Sequence, residues 1–298
     1  LGAAVGLLAD LALGEPPVEP HPVAAFGELM TKVEQRTYAD ERLAGVGHVA
    51  IGVGLGLVAG GLVRSTAAAT YLAAAPRGLY DAAGQVAAAL ERADLDEART
   101  LLPTLVGRDP TDLDHTDIAR AVVESVAENT VDAVAAPALF AAVGGAPGVL
   151  AHRALNTLDA MVGHHSPRYE RFGWASARLD DLAAWVPARA VAASVAAARP
   201  DRAGAVWHAV RTQAPAHPSP NAGVAEAAFA AALGVRLGGP LRYGDRAEVR
   251  PVLGGGRDPD VADVRAAIAL GRDVTFVLAG ALALAGTARA IRHRRRRP

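Results

Sequence analysis

Hydrophobic positions along this chain fall in long runs, and polar positions gather at the mouths of those runs. Five apolar stretches stand out, at residues 1–14, 46–75, 133–151, 182–198 and 274–290. They consist mainly of Ala, Val, Leu and Gly, separated by capping and turn residues. Strand signals are sparse, so the pattern predicts an all-α protein. A membrane-spanning helix wants about 20 apolar residues. Each stretch falls short, carries a charge or contains a breaker: Arg64 interrupts the second, Pro137, Gly144–Gly145 and Pro147 the third, Pro187 and Arg189 the fourth.

Two architectures fit that pattern. One is a soluble α protein with buried Ala-rich helices. The other is a multi-pass membrane protein whose helices are short, small-faced and interrupted. Small residues suit close helix packing in lipid. The basic tail RAIRHRRRRP after the last stretch suits a cytoplasmic anchor, although a solvated tail would look the same. The pattern favours the membrane. Between the apolar stretches, Tyr80–Leu101 reads as one amphipathic helix with a solvated charged face, and 237–260 as a Gly/Pro-rich loop.

Composition narrows the chemistry. Aromatic residues make up 4% of the 298, so the core is built from small side chains. Mean hydropathy is +0.20. A net charge of −1 argues against a nucleic-acid partner. The absence of cysteine excludes disulfides, thiolate catalysis and zinc–thiolate sites. Lys32 is the only lysine, so a P-loop is excluded. The N-terminal run lacks a basic region and is interrupted by Asp10, unlike a secretory signal. The chain starts at Leu1, so its natural start is expected slightly upstream.

The densest chemistry lies in ESVAENTVDAVAAPALF, Glu124 to Phe140. Read as a helix, it places Arg120, Glu124, Glu128 and Asp132 on one face, four residues apart. Arg120–Glu124 is a favourable pair. The two like-charged pairs cost stability, about a few tenths of a kcal/mol each when exposed and more beside an apolar run. A magnesium ion or a cationic substrate group would relieve that cost; a solvated acidic face is the plain alternative.

Upstream, LVGRDPTDLD reads as a turn with Arg108 at its tip. It is either a helix-entry loop, with Thr116 capping the next helix, or a phosphate or carboxylate clamp. Downstream, Arg153, Asn156, Thr157 and Asp159 share helical neighbour spacing. Arg178, Asp180 and Asp181 then repeat the arrangement of charge ahead of an apolar run. In HPSPNAGVAEAAFAAALG, Ser219 or Asn221 is placed to cap a helix running through Glu226, whose free N–H groups would face an anion. The proline-rich DLALGEPPVEPHPV near the start reads as an extended loop.

Taken together, GEPP…HPV, LVGRD, RAVVESVAENTVD…APALF, GGAPG, RALNTLDAMVG, RFGWASARLDDLAAWVPAR and HPSPNAGVAEAAFAAALGVRLGG resemble the CobD/CbiB family of cobalamin biosynthesis proteins, the adenosylcobinamide-phosphate synthases. The phrases occur in the family's order across nearly the whole chain. The sequence departs from the family pattern at Ala133, Ala160 and Ala184, positions bearing on fine substrate preference.

The resemblance implies a single membrane domain over 1–298. It would be multi-pass in the inner (cell) membrane, with a cytoplasm-facing site and a cytoplasmic C terminus. It implies the joining of (R)-1-amino-2-propanol, or its O-phosphate, to a propionate of adenosylcobyric acid through an amide bond. The lipid bilayer and other late cobalamin-pathway enzymes would be its partners. Amide formation needs an activated carboxylate, a deprotonated amine and the two held together. ATP with Mg²⁺ would supply activation, although no ATP-binding motif is visible.

On that reading Glu124, Glu128 and Asp132 are catalytic, with His217 as proton carrier. Glu124, Glu128, Asp180 and Asp181 are the metal ligands. Arg108, Arg153 and Arg178 clamp phosphate, while Asn129, Asn156, Asn221 and Ser219 contact substrate. A transporter or channel is the competing class, because carboxylates among broken apolar helices also mark ion pathways.

Overall fold

In the computed structural model the chain is 77% helical. The structure describes residues 1–16, 18–164, 166–243 and 246–295. Pro17 of the proline-rich loop, His165, the 244–245 pair and the end of the basic tail lie outside them. Side chains are described for the same residues except 240–248 and 293–295.

Among the described residues twelve α-helices and a hairpin follow in order. They are α1 (Gly2–Leu13), α2 (Pro22–Thr37), α3 (Arg42–Val63), α4 (Thr66–Ala73), α5 (Pro76–Glu91), α6 (Leu95–Leu101), α7 (His115–Asn129), α8 (Ala136–Val162), α9 (Trp174–Ala198), α10 (Ala203–Thr212), α11 (Ala222–Leu233), β1 (Leu237–Tyr243), β2 (Arg246–Leu253) and α12 (Val261–Arg295). Two compact units emerge. The first is Leu1–Ala75 with Asp132–Trp185 and Leu278–Pro298; the second is Pro76–Val131 with Val186–Val277.

In the first unit, α3 packs along α8. Gly52, Gly56 and Gly60 recur every four residues on the buried face of α3. A Cβ on Gly60 would stand 2.3 Å from the Pro147 Cα, and one on Gly56 would stand 2.6 Å from the Leu150 carbonyl oxygen. The large side chains point the other way: Val58 is 63% and Leu62 77% exposed. A helix with glycine inside and Leu, Val and Ile outside is patterned for lipid, where close backbone approach replaces a greasy seam. α8 turns at Gly145, whose φ of 64° requires glycine, just before Pro147.

Among the described residues three helical stretches are long and apolar enough to cross a bilayer: Arg42–Val63, His115–Val162 and Val261–Arg292. The apolar runs at 1–14 and 66–73 make helices too short to do so alone.

The second unit is built around α11, buried along nearly its whole length and packed on α7, α10 and both strands. The hairpin is the departure from an all-α chain. β1 and β2 pair antiparallel, with a bulge between Leu237 and Gly239. Gly238 and Gly239 take φ of 82° and 94°, so the same glycines that suggest a loop are what let the strand bulge. The single helix expected over Tyr80–Leu101 is two, because Ala93 turns left-handed (φ 57°) and Asp94 caps α6 by accepting the Glu97 N–H. Asp114, rather than Thr116, caps α7 by accepting the Asp117 N–H at 2.9 Å.

Candidate functional site

The polar face of α7 does not run straight on. After Asn129 the backbone widens into a π-helical segment, Thr130–Ala135. The extra residue per turn shifts everything beyond it around the axis. Glu124 and Glu128 belong to the second unit and Asp132 to the first. Arg120 does not pair with Glu124; its guanidinium donates to Asp117 at 2.8 Å and Asp258 at 3.4 Å.

In the second unit a buried charged centre forms around Glu124. Arg108, expected at a turn tip, is 7% exposed and forms an ion pair with Glu124 Oε2. Glu124 Oε1 accepts the Gly238 N–H at 2.7 Å, which ties the hairpin to the centre. Both oxygens of Glu124 are thus engaged. The Arg108 Nε edge is buried and has no partner among the described residues. Glu128 lies next along α7 and is exposed.

Glu226 on α11 completes the centre, and sequence reasoning passed over it as part of a capped helix. It is 1% exposed, and neither carboxylate oxygen has a hydrogen-bond partner among the described residues. Burial pushes its carboxyl well above the usual range; the neighbouring Glu124 and Glu128 carboxylates push it further, and Arg250 and Arg108 oppose them. His217 Nε2 lies 3.7 Å from Glu226 Oε1. The HPSPN loop holds the ring by Nδ1, which accepts the Ser219 N–H at 3.1 Å. Nδ1 also lies 3.1 Å from the Ser219 carbonyl oxygen, so the tautomer decides which of the two backbone groups it engages. Gly223 makes the approach possible, since a Cβ there would stand 2.4 Å from that of His217. The signal for Glu226 was a lone carboxylate within AGVAEAAFAAAL, an otherwise apolar helix.

Other expected contact residues serve the scaffold in this state. Ser219 Oγ accepts the N–H groups of Asn221 and Ala222, capping α11. Asn221 Oδ1 accepts from Arg189 at 2.9 Å. Asn129 donates back to the Ser125 carbonyl and hydroxyl.

A second polar string lies in the first unit. Arg153 donates to Asn156 Oδ1 at 3.4 Å, and its Nε has no partner. Asp132 and Glu15 are its acidic neighbours. Asn156 hydrogen-bonds Asp180, whose Oδ1 is buried and has no partner. Burial, with Asp159 alongside, raises the Asp180 carboxyl to about 7. Gly163 leaves room for Asp159, because a Cβ there would lie 1.8 Å from its Oδ1. Burial raises Asp181 as well, opposed by Arg178, which is exposed.

Among the described residues no group of three or more His, Asp or Glu is arranged to hold a metal. Magnesium bound with phosphate oxygens needs only one or two carboxylates. Asp180 with Asp159 fits that demand, whereas Glu124, with both oxygens taken, does not.

Comparison with known proteins agrees with the pattern of motifs. The family described as CobD/Cbib protein matches residues 3–271. The chain is 50% identical to a protein of Mycobacterium tuberculosis (H37Rv) named cobalamin biosynthesis protein CobD, over 96% of this chain and 94% of that one. It is 42% identical to a protein of the same name from Geobacter metallireducens, over 83% and 84% of the two chains. With that from Rhodobacter capsulatus it shares 41% over 90% and 91%. No solved structure matches. The chain belongs to the CobD/CbiB family of cobalamin biosynthesis proteins.

Proposed function

We propose that this chain forms the amide bond between a propionate of adenosylcobyric acid and (R)-1-amino-2-propanol or its O-phosphate, giving adenosylcobinamide or its phosphate. One observation carries the reading. The buried centre of the second unit holds an unsatisfied donor edge, Arg108 Nε, and an unsatisfied acceptor, Glu226, with an imidazole beside it. Those are complements for the two partners of an amide condensation, a carboxylate and an ammonium. The donor edge holds an anionic oxygen through a charge-assisted hydrogen bond.

The overall change is RCOO⁻ + H₃N⁺R′ → RCONHR′ + H₂O, so the oxygen leaves from the carboxylate and both hydrogens from the ammonium. The amine must shed a proton before it can attack. His217 and Glu226 are the buried pair able to take it and pass it on. Both side chains are buried, so bulk solvent does not compete for the proton. Magnesium with ATP, when bound, would supply activation of the carboxylate. The apolar outer face of α3 supports a lipid bilayer as the setting.

The test is to incubate purified protein with adenosylcobyric acid, aminopropanol phosphate and Mg²⁺, with and without ATP, and to follow product mass. The expected product weighs one water less than the sum of the two reactants. Recovery of both reactants unchanged in every combination would sink the proposal.

A further inference from the structure

Glu226 poses a problem that the fold alone does not solve. Its carboxyl group is buried near α7, the HPSPN loop and β2, and receives no hydrogen bond from the described residues. Facing it are Glu124 and Glu128 from α7, Arg108 from the preceding loop, Arg250 from β2 and His217. Among the described residues three carboxylates meet two guanidiniums, and Arg108 is committed to Glu124. With all three acids ionised and His217 neutral, those residues are one positive charge short. An unsatisfied buried carboxylate costs too much to be kept without a role. Either a proton or a cation must complete it.

We propose that Glu226 is the docking point for the primary ammonium group of the amine substrate, and that the ammonium displaces a proton from this centre as it binds. The inference rests on the reading of the chain as an amide-forming enzyme and names where the amine enters. Geometry favours a primary ammonium over a metal ion. No group of three or more His, Asp or Glu is arranged for a metal among the described residues, and Glu124 has no oxygen to spare. An ammonium needs only two or three acceptors, which the Glu226 oxygens with exposed Glu128 beside them can supply.

The exchange balances. The empty centre holds Glu226 as COOH, and the incoming R–NH₃⁺ leaves it as COO⁻ paired with the ammonium. The released proton passes by way of His217 to the buffer. The missing positive charge is what a proton supplies until a cation replaces it, and burial raises the Glu226 carboxyl in the same direction.

The experiment is calorimetric titration of the full chain in detergent with 1-amino-2-propanol and its O-phosphate at pH 7. Two buffers of different ionisation heat are used, with 1,2-propanediol as the uncharged isostere. The expected result is release of close to one proton per amine bound. Binding by the diol should be at least about tenfold weaker, and Glu226→Gln should lose about tenfold or more in amine affinity together with the proton release.

Equal binding of diol and amine, or amine binding with no proton release, would overturn the proposal. So would a Glu226→Gln protein that keeps both affinity and release. If Glu226→Gln does not accumulate, the diol comparison and the proton count on the unaltered protein decide alone. No turnover is involved, so the two readings fail separately. Amine binding with proton release but no corrinoid amide counts against the reaction, whereas amide formation without linked release counts against the docking point.

Discussion

His217 Nε2 stands 3.7 Å from Glu226 Oε1, with the two side chains 2% and 1% exposed. At that separation a small movement of the ring makes a hydrogen bond. With water excluded, a proton leaving one group has the other as its nearest acceptor. If the pair deprotonates the amine, His217→Asn should lower kcat by about 10²-fold or more. It should also remove the alkaline or acid limb of the pH–rate profile to which the pair contributes, with KM for the corrinoid little changed. A pH profile of unchanged shape and a loss below tenfold would leave the imidazole a purely structural part.

The Arg108–Glu124 pair is buried on both sides. Removing one partner strands a charge, while removing both leaves only the Gly238 N–H without its acceptor. Arg108→Met should therefore destabilise the protein by about 3–5 kcal/mol. The double variant Arg108→Met/Glu124→Met should recover a good part of that loss. Thermal melts of the two single variants and the double variant in one detergent supply the coupling. Additive losses would show that the pair does not act as a unit.

Asp180 gives a stability prediction with a definite pH window. Its carboxyl is raised from an ordinary 3.8 to about 7 by burial and by Asp159. Between those values the folded chain binds a proton that the unfolded chain has lost, so stability falls as pH rises from about 4 to 7 and levels off above. Asp180→Asn removes this cost. The variant should melt with the unaltered protein near pH 4 and above it from pH 7 upward. A Tm difference that stays constant across that range would contradict the assignment.

Legibility in the sequence followed period and failed at its interruptions. The apolar runs announced α3, α8 and α12 because composition over 18 or more residues overrides local detail. The glutamates of ESVAEN were legible as one helical face because their spacing matches an α turn. Asp132 was read onto the same face, since nothing in TVDAVA announces a π-helical widening. The hairpin was hidden because Gly238, Gly239, Pro240 and Pro251 carry loop signals, while its pairing is made by backbone groups. Glu226 was hidden for another reason: one carboxylate in an Ala-rich helix looks solvated until tertiary packing closes over it.

The glycines of α3 carry the last prediction, and the helix contains its own control. Gly56 and Gly60 face α8, where a Cβ would lie within 2.6 Å of backbone atoms; Gly54 and Gly61 have nothing within 4 Å. Backbone cannot rotate out of the way as a side chain can, so α3 and α8 must separate to admit a methyl group. Gly60→Ala should cost about 1–3 kcal/mol, despite the gain of up to about 1 kcal/mol in helix propensity. Gly61→Ala should keep that gain and melt at or above the unaltered protein. The two substitutions are adjacent, identical in chemistry and opposite in expected sign, so propensity alone cannot produce both results. Paired melts in the same detergent settle the matter. Equal Tm shifts at the two positions would mean that α3 does not approach α8 along its glycine face.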